Sequence, residues 1–271
     1  FIATPYRAAA EKPNARFPFV LTTGRLRDQW HGMSRTGTVA SLFAHEPEPC
    51  AYFSAVDLQS RMIKEGDFVK LRSPRGSMVL TARASEQVAA GQIFVPMHWG
   101  EETVSGHLDG ADEDSVFLGI NALCNSAKDP ISHQPELKYA QVRVEKCELI
   151  WQYMVIGFVP HEKLYSVQQT LRAYFKDFSY AHCVLFGHEQ VGLVFRAAHA
   201  SAVSSSRLLE IEALMGIDTA NSIRYDDQPK QIHKHFQIAK QENGHVLRAF
   251  ALAGDIQATA YLRPMLESQT P

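Results

Sequence analysis

Short apolar runs separated by turn-forming residues constrain the fold of this chain most strongly. These runs occupy residues 17–21, 68–71, 78–82 and 93–96, and the turns between them contain Gly24, Gly66-Asp67, Pro74-Arg75-Gly76 and Gly91. Strand-length runs bounded by Gly and Pro at this spacing are typical of a β-barrel or a β-sandwich. In residues 139–145, Ala140, Val142 and Val144 alternate with polar residues, which predicts a strand that closes this first domain. The first domain is therefore expected to be mainly β.

Helical patterns are sparse before residue 146 and more frequent after it. One helix is predicted over residues 55–64, where Ser54 can cap its first turn and Gly66 follows it. In the second half of the chain, the apolar pattern predicts strands over residues 154–159 and 191–197 and helices over residues 162–175 and 206–215. We expect an extended arm over residues 1–16, a barrel over 17–146 and a smaller α/β (α+β) domain over 147–271.

Composition excludes several classes of function. The 27 Lys and Arg residues are balanced by 29 Asp and Glu residues, so a nucleic-acid partner is not expected. No apolar run reaches the roughly 18 residues of a membrane span, so no membrane partner is expected either. The four cysteines lie far apart, which predicts no zinc or iron–sulfur site and suits a reducing cytoplasm. The chain begins with Phe1 and not with Met, and we expect it to start within a longer polypeptide.

Residues 21–37 carry the most informative pattern. A buried strand ends at Gly24 and is followed by Arg25, Arg27, Arg35, an indole, an imidazole and several hydroxyl groups. Backbone N–H groups at a glycine turn, together with guanidinium and hydroxyl donors, suit a diphosphate. From the residues alone, an exposed hairpin with solvated arginines remains the alternative.

Two further segments carry side chains that can contact a nucleotide. Met97-His98-Trp99-Gly100 follows the strand that ends at Pro96, and residues 119–130 contain Asn121 and Asn125, whose amides can read a purine edge. His98 and Trp99 can equally pack at a strand end, and the two asparagines can equally be turn residues. Neither segment decides the function by itself.

In their order along the chain, these elements resemble the molybdopterin-dinucleotide-binding domain at the C-terminal end of molybdenum oxidoreductases. The elements are Thr22-Thr23-Gly24-Arg25, Gln29-Trp30-His31, Ser54-Ala55-Val56-Asp57, Lys64-Glu65-Gly66-Asp67, Ser73-Pro74-Arg75-Gly76, Pro96-Met97-His98-Trp99, Asn121, Asp129-Pro130 and Gln134-Pro135-Glu136-Leu137-Lys138-Tyr139. The resemblance covers about residues 15–146. Within that family, residues 25–31 and His98-Trp99 look most similar to bacterial assimilatory nitrate reductases.

The resemblance implies a six-stranded double-psi β-barrel that holds a molybdenum bis(molybdopterin guanine dinucleotide) cofactor. The positions that match cofactor-binding positions of the family are Thr23, Gly24, Arg25, Leu26, Gln29, Trp30, His31, Ser34, His98, Trp99, Asn121 and Lys138. Gly32 departs from the family pattern, in which a hydroxyl residue is common at that place. One hydrogen bond of the family is therefore not expected here.

The resemblance also implies a function, namely that of the C-terminal cofactor-binding fragment of a cytoplasmic nitrate reductase that serves nitrate assimilation. The alternatives are the same domain of a formate dehydrogenase or of a periplasmic-type nitrate reductase, and a non-catalytic docking module. No catalytic or metal-ligating residue is assigned in this chain, and an iron–sulfur cluster is expected only in the missing parts. The expected partners are the N-terminal catalytic domains of the same polypeptide and an electron donor, which is a flavoprotein, a ferredoxin or an NADH-linked subunit.

The end of the chain carries a weaker resemblance. Residues 217–267 look similar to the small C-terminal domain of NADH-dependent nitrite and rubredoxin reductases, where it mainly packs domains together. In this region His233 and His235 share one face of a predicted strand. No third ligand is apparent beside them, so we expect that face to be exposed to solvent.

Overall fold

The first sheet is a closed barrel. The computed structural model describes residues 3, 5–105, 107–108, 119–136, 138–241 and 244–269. The strands of the first sheet are β1 (Phe19–Gly24), β2 (Cys50–Phe53), β3 (Phe68–Arg72), β4 (Gly76–Ala84), β5 (Gln92–Pro96), β6 (His107–Leu108) and β7 (Ala140–Lys146). They are ordered β2-β5-β1-β7-β3-β4, β4 pairs again with β2, and β6 adds to β4. The expected six-stranded barrel is confirmed.

The barrel places the ends of β1 and β5 side by side. These two strands pair in parallel, with Thr23 opposite Val95 and Gly24 opposite Pro96. β2 and β4 also pair in parallel, whereas the other neighbours in the barrel are antiparallel. The interior is filled by apolar side chains that are at most 1% exposed, among them Leu21, Phe53, Leu71, Leu80 and Val95. Apart from Phe53, these side chains come from the apolar runs that predicted the strands.

The second sheet is fully antiparallel. Its strands are β8 (Trp151–Phe158), β9 (Tyr180–Gly187), β10 (Val191–His199), β11 (Ser222–Asp227), β12 (Ile232–Gln241) and β13 (Gly244–Gly254). They are ordered β11-β12-β13-β8-β10-β9. The core beneath them is aromatic, because the Phe195 ring lies edge-on to both Tyr153 and Phe178 at centroid distances of 6.2 and 5.9 Å. The helices that accompany this sheet are α2 (Leu164–Arg172), α3 (Ser205–Leu214) and α4 (Thr259–Ser268).

Contacts along the chain divide it into two units. The barrel unit contains residues 1–25, 50–97 and 106–147. The second unit contains residues 26–49, 98–105 and 148–271. The segments that follow β1 and β5 therefore pack with the second unit, although they belong by sequence to the first half of the chain. Sequence periodicity cannot show this, because it reports only on local structure.

Several elements differ from the sequence-based expectation. The first helix, α1 (Ala55–Ser60), ends before Lys64 because Met62 takes a left-handed φ of 53°. The helix expected over residues 162–175 is shorter, with single 3₁₀ turns at His161–Lys163 and Phe175–Asp177 on either side of α2. Strands β2 and β9 were not expected. The resemblance of residues 217–267 also implies a turn at Asn243-Gly244, of which Asn243 lies outside the described residues.

The expectation for His233 and His235 is wrong. The two side chains do share one face of β12, but they are only 6% and 3% exposed. Both bond to Glu212 of α3, so this helix covers the face that the sequence suggested was open to solvent. The contact joins residues far apart in the chain, which is why the strand pattern alone could not predict it.

Candidate functional site

The site begins where β1 ends. The Gly24 carbonyl accepts a hydrogen bond from the Met97 N–H at 2.9 Å, which continues the parallel pairing past Pro96. A Cβ at position 24 would lie 2.9 Å from Cε2 of the Phe94 ring, closer than real Cβ atoms approach. The close packing of the Phe94 ring therefore favours glycine at the point where the chain leaves the strand.

His98 fixes the segment that follows β1. Its imidazole is 1% exposed, and its Nε2 accepts a hydrogen bond from the Leu26 N–H at 2.9 Å. Since Nε2 accepts, the ring proton lies on Nδ1, which donates to the His31 carbonyl. His31 itself takes a left-handed φ of 44°. Both ring nitrogens are thus engaged by main-chain atoms, and His98 holds both ends of residues 26–31 in place.

Two buried polar atoms near this anchor have no hydrogen-bond partner among the described residues. Gln29 is 6% exposed, and its Nε2 donates to the Leu42 carbonyl at 3.1 Å, whereas its Oε1 is unpaired. Trp99 is fully buried, and its Nε1 is unpaired. A buried polar group without a hydrogen-bond partner lowers the stability of a protein by about 1–3 kcal/mol. Each of these atoms suits a polar group of a ligand, Gln29 Oε1 as an acceptor and Trp99 Nε1 as a donor.

The other predicted residues of this segment are exposed. Arg25, Trp30, His31 and Ser34 all reach solvent, and the Trp30 ring, which is 47% exposed, lies edge-on to the His31 ring at 4.6 Å. Arg27 differs, because its guanidinium bonds the Asp28 carboxylate at 2.7 Å, and this contact raises the pKa of Arg27. The guanidinium groups of this stretch that have no acidic partner among the described residues are therefore those of Arg25 and Arg35 and not that of Arg27.

Asn121 and Lys138 lie in the barrel unit, together with Thr23, Gly24 and Arg25. Asn121 is exposed in the 3₁₀ turn Gly119–Ala122, and Lys138 is exposed in a turn ahead of β7. Both side chains can therefore reach a ligand in solvent. The remaining predicted residues belong to the second unit, namely Leu26, Gln29, Trp30, His31, Ser34, His98 and Trp99.

Comparison with known proteins identifies the region that contains these residues. Residues 19–141 match the family described as "Molydopterin dinucleotide binding domain". This segment is a molybdopterin dinucleotide binding region of the molybdopterin oxidoreductase family. The chain is 36% identical over 140 residues to "Nitrate reductase" of Klebsiella oxytoca, and this match covers 52% of the chain and 14% of that relative.

Two other relatives of the dinucleotide binding region carry different names. "F420-dependent formate dehydrogenase subunit alpha" of Methanocaldococcus jannaschii is 33% identical over 141 residues, which is 52% of this chain and 19% of that protein. "Periplasmic nitrate reductase" of Desulfovibrio desulfuricans is 34% identical over 142 residues, which is 52% of this chain and 17% of that protein. The chain spans less than a fifth of each of these relatives, all of which are named as oxidoreductases. The expected family is confirmed, whereas the type of enzyme is not resolved.

Several family-like elements stabilise the molybdopterin dinucleotide binding region internally. Asp57 accepts from the Ser54 hydroxyl at 2.7 Å and from the Gly91 N–H at 2.8 Å. Arg75 donates to the Leu123 carbonyl at 2.9 Å and pairs with the Glu11 carboxylate at 2.5 Å. These residues join distant parts of the barrel unit, so their role in it is structural.

Asn125 also has a structural role in this region. Its amide donates to the Tyr139 carbonyl at 2.9 Å and to Glu136 at 3.2 Å, while its Oδ1 accepts from the Ala127 N–H at 2.9 Å. An amide that is used in this way cannot also pair with a purine edge. Of the two asparagines considered from the sequence, Asn121 is the one that remains exposed.

Within the part of the chain that the structure describes, no helix has the length and apolar character needed to cross a membrane.

Proposed function

We propose that this chain is the C-terminal cofactor-binding region of a molybdenum-dependent nitrate reductase that reduces nitrate to nitrite in cytoplasmic nitrate assimilation. The cofactor would be molybdenum bis(molybdopterin guanine dinucleotide), bound through the segments that follow β1 and β5. The family match and the nitrate reductase relatives support this proposal. The observation that carries it is that two buried atoms of the segments that follow β1 and β5, Gln29 Oε1 and Trp99 Nε1, have no hydrogen-bond partner among the described residues.

The residues of this chain would bind and orient the cofactor, and the molybdenum centre would supply the redox chemistry. The exposed guanidinium of Arg25 suits the diphosphate, because no carboxylate among the described residues is paired with it. The exposed Trp30 ring offers an aromatic surface for the flat pterin. Asn121 and Lys138, which match cofactor-binding positions of the family, would add an amide and a positive charge. The role is one of positioning and charge neutralisation.

The proposal assigns the reaction to parts of the enzyme outside this chain. The upstream catalytic domains would complete the cofactor shell and hold any iron–sulfur cluster. A flavoprotein, ferredoxin or NADH-linked subunit would supply electrons. The isolated fragment would then lack activity, which an assay of nitrate reduction with a chemical electron donor can test directly.

The central experiment changes the two unpaired atoms in the full-length enzyme. Gln29→Leu removes the unpaired acceptor together with the donor to the Leu42 carbonyl, and Trp99→Phe removes the unpaired donor while keeping a buried aromatic ring. Each lost hydrogen bond to a buried ligand is worth about 1–1.5 kcal/mol, so cofactor affinity should fall roughly tenfold per variant. Molybdenum is measured by mass spectrometry, and guanine is measured after acid release. Gln59→Leu, at an exposed position of α1, is the control.

Full molybdenum and guanine content in both variants would overturn the proposed site. A native full-length enzyme that contains no pterin would instead favour the docking-module alternative. Loss of cofactor in the Gln59→Leu control would show that the effect is not specific to the site. Circular dichroism and thermal melts of the apo forms separate lost binding from lost folding.

One observation favours a second function. The formate dehydrogenase subunit of M. jannaschii matches this region nearly as well as the nitrate reductases do. The full-length enzyme should therefore be assayed with nitrate and with formate under the same conditions. Formate oxidation without nitrate reduction would replace the proposed substrate and leave the cofactor site unchanged.

A further inference from the structure

A cluster of three buried side chains lies within the second unit, and we call it the Glu–His–His cluster. It consists of Glu212 on α3 and of His233 and His235 on β12, and none of the three is more than 6% exposed. Glu212 Oε1 is 2.8 Å from His233 Nε2, and Glu212 Oε2 is 2.7 Å from His235 Nδ1. One nitrogen of each histidine and one carboxylate oxygen all lie within 4.8 Å of one another.

The strand and the helix explain this convergence. Residues two apart on a strand point to the same face, so His233 and His235 both face α3. Glu212 lies near the C-terminal end of α3 and is completely buried against them. A buried carboxylate is costly unless positive charge or strong hydrogen bonds compensate for it. The two imidazole rings converge on that carboxylate, and each presents one nitrogen to it.

Each member of the cluster also bonds a group outside it. His233 Nδ1 bonds the Asp226 carboxylate at 2.6 Å, and His235 Nε2 bonds the Ser222 hydroxyl at 3.0 Å. The Tyr153 hydroxyl donates to Glu212 Oε1 at 3.1 Å. Histidines that bind metals use their second nitrogen in this way, which fixes the ring and its tautomer. The contacts with Asp226 and Ser222 supply that support without a further rearrangement.

The donor set matches a known class of ion. Two imidazole nitrogens and one carboxylate are ligands of Zn²⁺ and of related divalent transition metals, with metal–ligand distances of about 2.0–2.2 Å. Around a tetrahedral ion such donors are about 3.3 Å apart. The present contacts of 2.7 and 2.8 Å therefore need to open by roughly half an ångström, which small side-chain rotations can supply.

We propose that Glu212, His233 and His235 bind one divalent transition-metal ion of the zinc class, with a water molecule at the fourth position. The ion would replace the protons now shared between the carboxylate and the imidazoles, and it would tie α3 to β12. All three ligands belong to the second unit. The proposal is therefore independent of the molybdenum cofactor and of its proposed function.

The test uses the 271-residue chain after treatment with a chelator. Added Zn²⁺ should bind at one ion per chain and raise the melting temperature. Co²⁺ should give the visible absorption band of a four-coordinate site, and Zn²⁺ should abolish that band. Glu212→Gln keeps the size of the side chain and its hydrogen-bonding oxygen but removes the charge, so metal affinity should fall by at least a hundredfold. His245→Gln, at an exposed position of β13, is the matched control and should bind as the wild type does.

A second measurement keeps the proposal testable if Glu212→Gln fails to fold. X-ray absorption at the zinc edge of the wild-type chain reports the ligands of the ion directly. It should show nitrogen and oxygen donors at about 2.0–2.2 Å together with the scattering of two imidazole rings. The proposal is overturned by a wild-type chain that shows no four-coordinate Co²⁺ band, by equal Zn²⁺ affinity in a folded Glu212→Gln variant, or by a zinc spectrum without imidazole scattering.

Discussion

Acidification should destabilise the second unit through His182, a buried histidine of β9. Its side chain is 1% exposed and bonds the Tyr180 hydroxyl at 2.7 Å. Burial lowers the pKa of His182 from 6.5 to about 3; the nearby Glu48 carboxylate opposes this shift and the Arg196 guanidinium adds to it. In the folded chain the ring therefore stays neutral at pH values at which the unfolded chain binds a proton.

The sign and size of the effect follow from this difference. Between pH 6.5 and about 3 the unfolded state binds more protons, so stability falls as the pH falls. The stabilising contribution is complete above pH 6.5, and it is lost at about 1.4 kcal/mol per pH unit below that value. At pH 5 the expected loss from His182 alone is about 2 kcal/mol.

Urea unfolding at pH 7.5 and pH 5 measures this loss. Carboxylates also titrate over this range, so the relevant quantity is the difference between variants. His182→Gln should reduce the loss of stability between the two pH values by about 2 kcal/mol. His188→Gln, at an exposed position, should leave it unchanged. If His182→Gln shows the same pH dependence as the wild type, the argument from burial is wrong.

Two smaller predictions concern substitutions in the first 60 residues, and thermal or urea unfolding checks both. Gly24→Ala should destabilise the barrel unit by about 1–3 kcal/mol, because the new methyl group meets the Phe94 ring. Gly32→Ala is the control and should change stability by less than about 1 kcal/mol, because no atom lies within 4 Å of the new Cβ. Ser54→Ala should lower the free energy of unfolding by about 1 kcal/mol, because the Ser54 hydroxyl oxygen accepts a hydrogen bond from the Asp57 N–H at the first turn of α1. An unchanged unfolding midpoint would contradict this cap.

The sequence predicted the barrel well because its strands are short apolar runs with clear turns. β1, β3, β4 and β5 all fall on runs that the alternation of apolar and turn residues had located. β2 was missed because Cys50–Phe53 is only four residues long and has prolines on its N-terminal side. Short strands of this kind gain their stability from neighbours on both sides, which local pattern does not report.

The candidate sites were predictable to different degrees. The ordered residues from Thr23 to Trp99 resemble the dinucleotide binding region closely enough to predict it. The hydrogen bonds of His98 were not predictable, because they require β1 and β5 to be parallel neighbours. The Glu–His–His cluster was missed for a similar reason, since Glu212 reaches β12 from a helix that precedes it in the chain by some twenty residues. Strand periodicity placed the two histidines together but could not show what covers them.

The manner in which His98 holds its segment has a consequence for variation. Its two ring nitrogens bond main-chain atoms, the N–H of Leu26 and the carbonyl of His31. Every amino acid except proline supplies the same N–H at position 26, and every residue supplies the same carbonyl at position 31. The path of the segment is thus set separately from the identity of the side chains that it displays. Exposed positions such as Trp30 can change to suit a different ligand while the backbone beneath them keeps its course.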